Sequence, residues 1–213
     1  MSLLHCITVY IESGARKVPV DAATERQQSA AFIEGDEQAI RYFFEKYQGP
    51  LFTFVLRSVH DREMAAELVQ ETFRRLIEKR DRLHADKGVR NYMYTIAVNL
   101  CTDYYRKQKR IMGSVDDSLL EAQSIEGRQA PRETDAVELA EMEQTLEGCI
   151  DRLPQKERTV VLLRKVDKLS FAEIADIMGA SERTIQRFLR SALDRLLTDM
   201  EQHGFARNGE LVW

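Results

Sequence analysis

The sequence predicts an all-α protein in which two small helical domains are joined by an acidic linker. The chain of 213 residues is 44% apolar and has only 4 prolines and 10 glycines, a composition that favours helices. Apolar residues recur at helical spacing in two blocks, 36–110 and 136–197. Between them, residues 111–147 hold 2 Lys/Arg and 10 Asp/Glu, a net charge of −8, whereas residues 36–110 hold 15 and 11, a net charge of +4.

The first block predicts three helices. Residues 36–60 read as a helix interrupted near Gly49-Pro50, because proline removes a helical hydrogen bond. Residues 61–80 predict an amphipathic helix capped by Asp61, and residues 90–110 predict a third helix after a polar loop. Residues 1–30 are predicted to be a loosely attached extension, in which residues 4–11 have the composition of a short strand.

The second block predicts two helices within 136–166, separated at Leu153-Pro154, and then a helix-turn-helix over residues 170–197. Gly179 supplies the turn, and Ser181 is a natural N-cap for the second helix. Short basic and amide side chains at the start of that helix suit a reader of the DNA major groove. A helical hairpin with a merely solvated basic face is the alternative. The residues on this face are Ser181, Arg183, Thr184, Gln186, Arg187 and Arg190.

The helix over residues 61–80 has a charged face opposite its apolar stripe. Such a face is commonly only solvated. The sharper hypothesis is a protein-docking face, whose carboxylate and amide groups meet basic groups of a partner. Its candidate residues are Glu67, Gln70, Glu71 and Arg74.

The helix over residues 90–110 combines tyrosines with cations. Aromatic rings can stack unpaired bases while neighbouring cations neutralise phosphates, which is what single-stranded nucleic acid requires. The alternative is that the tyrosines belong to the core; we favour it for Tyr104, and the binding role for Tyr92 and the basic cluster. The candidate strand-binding residues of this kind are Tyr92, Tyr94, Arg106, Lys107 and Arg110.

No residue pattern predicts catalysis or metal binding. The four histidines are scattered, and neither an HxxxH nor a GxSxG motif occurs. The three cysteines form no CxxC pair, which favours a reduced, cytoplasmic compartment. No run approaches the roughly 20 apolar residues of a membrane span. We therefore expect a binding protein without catalytic residues, metal, cofactor or membrane insertion.

Two stretches carry a family resemblance. DREMAAELVQETFRRL followed by YMYTIAVNLCTDYYRKQKR resembles region 2 of bacterial RNA polymerase sigma factors, and LPQKERTVVLLRKVDKLSFAEIADIMGASERTIQRFLRSALDRL resembles their region 4. Their order and the acidic linker are similar to the small extracytoplasmic-function group. The resemblance implies region 2 at 31–110, a linker at 111–140, region 4 at 141–200 and a tail at 201–213, after the extension 1–30.

The resemblance also implies roles for matching residues. Glu67, Gln70 and Glu71 stand where the family docks on the β′ clamp helices of core polymerase. The helix at 90–110 and the loop Lys79–Val89 stand where it holds the melted −10 element, and Asn99 and Asp103 match the family's motif in that helix, which adds them to the candidate strand-binding residues. The stretch from Ser181 to Arg190 stands where it reads the −35 element. Tyr92 replaces the family's usual tryptophan, and Gln186 and Phe188 depart from its usual recognition helix, so the promoter sequence stays open.

The resemblance implies a sigma factor that directs promoter recognition and transcription initiation. Its implied partners are core RNA polymerase, through the β′ clamp helices and β flap, promoter DNA, and an anti-sigma factor. The alternative is a conventional helix-turn-helix regulator with an N-terminal dimerisation or effector domain; a helical adaptor that binds only protein is a third reading. The acidic linker either folds back onto the basic DNA-binding faces of the free protein, or its acidic residues simply keep the linker extended and soluble.

Overall fold

The structure, a computed structural model, describes residues 22–83, 88–111 and 134–205. These ranges contain eight α-helices, one 3₁₀ turn and no strand, which confirms the predicted all-α fold. No helix in them is long and apolar enough to cross a membrane. The helices are α1 (Ala22–Glu34), α2 (Glu37–Val59), α3 (Arg62–Glu78), α4 (Val89–Ile111), α5 (Thr134–Asp151), α6 (Gln155–Asp167), α7 (Phe171–Met178) and α8 (Glu182–Gln202), and the 3₁₀ turn is Arg80–Arg82.

Helices α1–α4 form an N-terminal unit around an aromatic and aliphatic core. Phe43, Phe54, Leu76 and Met93 are fully buried in it. Asp61 caps α3 as predicted, because its carboxylate accepts a hydrogen bond of 3.0 Å from the backbone N–H at position 64. The cap fixes where α3 begins and therefore which residues face outward.

The predicted interruption at Gly49-Pro50 is wrong, since α2 runs unbroken from Glu37 to Val59. Tyr47 before the proline and Leu51 after it are both buried on the same side of α2. A proline inside a helix costs about 3 kcal/mol. Burying large side chains on both sides of Pro50 offsets that cost, at roughly 1.5–3 kcal/mol for each side chain.

The N-terminal extension is shorter than predicted, because residues 22–30 belong to α1. Phe32 of α1 is buried against α2. Glu25 accepts hydrogen bonds from the hydroxyl of Tyr47 at 2.6 Å and from Lys46 Nζ at 3.4 Å. Helix α1 is therefore part of the N-terminal unit. The strand predicted for residues 4–11 lies outside the described residues.

Helices α5–α8 form a C-terminal unit, with the predicted break between α5 and α6 at Leu153-Pro154. Helix α5 begins at Thr134, so the predicted linker 111–140 ends earlier than expected. Residues 112–133 of the linker lie outside the described ranges, so the hypothesis of an inhibitory linker stays a prediction. Residues 206–213 of the tail also lie outside these ranges.

The helix-turn-helix forms where the sequence predicts it. Ser170 and Glu173 make a reciprocal capping box at the start of α7, and Gly179 ends that helix with φ +62°. The Ser181 hydroxyl accepts from the Thr184 backbone N–H at 3.2 Å and so starts α8. These local signals set the angle at which α8 leaves the turn.

Candidate nucleic-acid and protein-binding surfaces

The first half of α8 presents a basic face to solvent. Ile185 is fully buried on the opposite side. Arg187 stacks its guanidinium over the Phe188 ring at 5.6 Å, which helps to hold both side chains in place. The candidate residues of this face are all at least partly accessible: Ser181, Arg183, Gln186, Arg187 and Arg190 are exposed, and Thr184 is half-buried. The geometry suits insertion of this end of the helix into a major groove.

The charged face of α3 is ordered by its own ion pairs. Glu71 accepts two hydrogen bonds from Arg74, at 2.6 and 2.7 Å, and one from Arg75 at 2.6 Å. These donors lower the pKa of Glu71 to about 2, so it is ionised throughout the physiological range. Glu67 and Gln70 are exposed beside them. All four docking candidates therefore lie on one accessible helix face.

An apolar groove beside α3 was missed by sequence reasoning. Phe44 is 46% exposed and packs against the Phe73 ring with a centroid distance of 4.9 Å. Ile77 is 36% exposed and lines the same groove, which has a volume of about 610 Å³. The pair Phe43-Phe44 carried a signal, because consecutive helical residues point about 100° apart, so one of two adjacent rings lies towards the edge of the buried stripe. The groove supplies apolar anchors that a charged face alone lacks.

The two candidate tyrosines of α4, Tyr92 and Tyr94, differ in their exposure to solvent. Tyr94 is fully buried, edge-to-face against Phe54 at a centroid distance of 5.7 Å. Its prediction as a strand-binding residue is therefore wrong, because no face of its ring can reach a base. Tyr92 is half-buried and accessible, whereas Asn99, Asp103, Arg106, Lys107 and Arg110 are exposed. Tyr92, Asn99, Asp103 and Arg106 share one side of α4 by helical spacing.

Tyr105 belongs to a contact between the two units. Its hydroxyl is hydrogen-bonded by Arg158 of α6, whose guanidinium also lies 5.5 Å from the ring centroid. Burial raises the pKa of Tyr105 to about 12. About one turn before Tyr105 in α4, Thr102 Oγ1 accepts a hydrogen bond from Gln155 Nε2 at 3.4 Å. Helices α2 and α4 of the N-terminal unit thus pack against α6 and α7 of the C-terminal unit.

Within the described residues, no group of three or more His, Cys, Asp or Glu side chains could hold a metal ion. Cys101 and Cys149 are buried free thiols whose pKa values are raised by burial. Neither has the lowered pKa of a reactive thiolate.

Comparison with known proteins identifies both halves of the chain. Residues 43–111 match the family model Sigma-70 region 2, and residues 143–196 match Sigma-70, region 4. The ECF RNA polymerase sigma-E factor of Escherichia coli K12 is 30% identical over 168 residues, which cover 76% of this chain and 87% of the relative. The RNA polymerase sigma-H factor of Pseudomonas aeruginosa is 28% identical over 170 residues, covering 76% and 88%.

A solved structure shares the fold. The structure of CnrH in complex with the cytosolic domain of CnrY aligns with a TM-score of 0.60 and 19% sequence identity. The alignment covers 84% of this chain and 97% of that one. It therefore extends over both helical units and not over one domain alone.

Proposed function

This chain belongs to the ECF group of the sigma-70 family of RNA polymerase sigma factors, and from that premise we propose which of its surfaces perform each step of initiation. It is a sigma factor that binds core RNA polymerase and promoter DNA and directs transcription initiation. The regulator alternative is not favoured, because a Sigma-70 region 2 match precedes the region 4 match that contains the helix-turn-helix. Sigma factors are not enzymes in themselves. We propose that this one has no catalytic residues of its own and acts in the cytoplasm with the polymerase.

Helix α8 is proposed to read the −35 element. The supporting observation is the exposed row of basic and amide groups opposite buried Ile185. Arg187→Ala should weaken upstream-element binding by about 1–3 kcal/mol if Arg187 makes a bidentate base contact. Arg195→Ala is a matched control, because Arg195 lies on the same helix but is paired with Glu157 at 3.1 Å. A uniform loss across DNA sequences would instead indicate a phosphate contact.

The α3 face and the adjoining groove are proposed to dock on the β′ clamp helices. Charges ordered in advance steer association, and Phe44 and Ile77 supply apolar area that becomes buried. Glu67→Arg should weaken binding to core polymerase, measured by fluorescence anisotropy of labelled sigma factor. Glu141→Arg, an exposed reversal in α5, should leave binding unchanged. Equal effects of the two variants would reject this face.

The side of α4 that carries Tyr92, Asn99 and Arg106 is proposed to hold the melted −10 strand, with Asp103, Lys107 and Arg110 at its margin. The aromatic ring and the cations are accessible together there. Mobility assays with and without core polymerase test the whole assignment. A promoter complex should form only with core polymerase, whereas tight duplex binding by the chain alone would indicate a regulator.

An anti-sigma factor is a further proposed partner. CnrH, which shares this fold, was solved in complex with the cytosolic domain of CnrY. A tagged copy of this chain should capture, from its own cells, a protein that competes with core polymerase for it. Capture of polymerase subunits alone, under all growth conditions, would contradict the proposal.

A further inference from the structure

The contact between the two units is centred on one buried arginine. Arg158 of α6 is 7% exposed. Its Nη1 lies 3.0 Å from Nε2 of His60 and donates to the Asp151 carbonyl at 2.6 Å. Its Nη2 donates to the Ser58 carbonyl at 3.3 Å and to the Tyr105 hydroxyl. Three of these four partners belong to the N-terminal unit, so the arginine ties the units together.

The Arg158–His60 contact requires a neutral histidine. A guanidinium can only donate hydrogen bonds, so Nε2 of His60 must accept, and the ring proton must lie on Nδ1. Protonation would place a donor on Nε2 as well. Two donors and two positive charges would then face each other across 3.0 Å, and the hydrogen bond would be lost.

The charges around His60 do not relieve that repulsion. Arg57 lies on its own helix, Arg158 faces it from α6 and Asp151 from the end of α5. Asp151 is already bound to Arg57, at 2.9 and 3.2 Å. Burial, followed by Arg158, lowers the pKa of His60 below its ordinary value, while Asp151 opposes this shift more weakly. From α4, the Tyr105 phenol and the Cys101 thiol lie beside Arg158, and burial raises the pKa of each to about 12, so both are neutral at physiological pH.

The backbone at His60 fixes where its ring projects. His60 has φ +57° and ψ +23°, a left-handed conformation at the C-cap of α2. Glycine or asparagine usually ends a helix in this way, because a Cβ crowds the backbone there. Lys168 ends α6 in the same region, with φ +49°, so the conformation alone assigns no function. What distinguishes His60 is that its ring meets Arg158 at 3.0 Å.

Closure of the two units conflicts with simultaneous binding of both promoter elements. The positions that name the −35 and −10 elements differ by about 25 base pairs, which is roughly 85 Å at 3.4 Å per pair. A compact chain of this length has a radius of gyration of about 17 Å. If the proposed function holds, the units must separate before both elements are bound. Loss of the Arg158 contact therefore favours separation of the units, which Arg57–Asp151 and Arg90–Glu173 also hold together.

We propose that His60 and Arg158 form a proton-operated latch, closed while His60 is neutral and released when His60 is protonated. The open form gives His60 its ordinary pKa of about 6.5, and the closed form gives it a lower one. Closure is therefore most stable above pH 6.5, and it weakens as the pH falls from there towards the pKa of the closed form. The latch is a property of the free protein and goes beyond its role in initiation.

Small-angle X-ray scattering of the full chain at pH 7.5 and 5.5 tests the latch. The radius of gyration should increase at pH 5.5 while far-UV circular dichroism shows that the helices persist. His60→Gln, which can accept from Arg158 through Oε1 at either pH, should abolish this change. His203→Gln is the matched control, because His203 caps the far end of α8 and should leave the change intact.

The outcomes are decisive. A radius that is the same at both pH values in the wild type overturns the latch, and so does an expansion of His60→Gln equal to that of the wild type. A His60→Gln protein that has one size at both pH values, compact or extended, supports it. Scattering involves neither polymerase nor promoter. Failure of the latch would therefore leave the assignment of the sigma-factor surfaces unaffected.

Discussion

Arg57 and Asp151 join the two helical units, because Nη2 of Arg57 donates to Oδ1 of Asp151 at 2.9 Å. Both side chains are largely shielded, at 15% and 22% exposed. Arg57 also donates to the Glu147 carbonyl at 3.0 Å. Shielding reduces the screening that makes surface ion pairs weak, so this contact should be energetically significant.

A double-mutant cycle measures that contribution. Arg57→Ala and Asp151→Asn should show a coupling free energy of about 1.5–3 kcal/mol in urea denaturation, the usual range for hydrogen bonds to charged groups. Arg106→Ala and Asp103→Asn provide a matched pair that is 71% and 66% exposed. That pair should couple by less than about 0.5 kcal/mol. Equal coupling in both cycles would contradict the prediction.

Tyr92 and Tyr94 should respond differently to truncation. Tyr94→Ala removes a fully buried ring and should lower the free energy of unfolding by about 3–5 kcal/mol. Tyr92→Ala should cost much less stability but reduce promoter melting, measured by permanganate reactivity of the −10 element. Promoter melting at the wild-type level by Tyr92→Ala would remove Tyr92 from the strand-binding surface.

The capping box at Ser170 should stabilise α7. Ser170→Ala removes the hydroxyl that accepts from the Glu173 backbone N–H at 3.2 Å, and should cost about 1 kcal/mol in thermal unfolding. Ser170→Asp is the conservative control, because aspartate is an equally good N-cap. If both variants unfold at the same temperature, the cap contributes nothing specific.

Because of Lys165, the free energy of unfolding should depend on pH in the alkaline range. Its Nζ lies 3.4 Å from Oε1 of Glu147, and burial lowers its pKa to about 8, from an ordinary 10.5. Between pH 8 and pH 10.5, Lys165 has released its proton in the folded chain but retains it in the unfolded chain. The free energy of unfolding should therefore gain a rising contribution from pH 8 to 10 and none below pH 8.

Lys165→Met should flatten that rise in urea denaturation at pH 7, 8, 9 and 10. Lys168→Met is the control, because Lys168 is exposed just beyond the end of α6. A rise of the same slope in wild type and in Lys165→Met would assign the pH dependence to another group.

Local signals predicted the helices well, and tertiary packing explains the exceptions. Asp61, Gly179 and Ser181 act within four residues along the chain, so the sequence alone locates them. Pro50 was misread because the burial of its neighbours, which comes from other helices, outweighs its local cost.

The candidate binding surfaces were predicted only in part, because local spacing identifies exposed helix faces but not contacts between distant parts of the chain. The exposed residues of α3, α4 and α8 follow from helical spacing, but Tyr94 could be placed only by its contact with Phe54, 40 residues earlier. The Arg158–His60 contact joins residues 98 positions apart. No local pattern in the sequence marks such a pair.

The left-handed backbone at position 60 makes that position informative about evolution. In a relative that does not need the imidazole, we expect His60 to be replaced by glycine or asparagine, because these residues adopt the left-handed conformation more easily. Retained histidine would then coincide with a retained arginine at position 158. Among relatives of this chain, the pair of residues at these two positions should be inherited together, and it would distinguish acid-responsive members from the others.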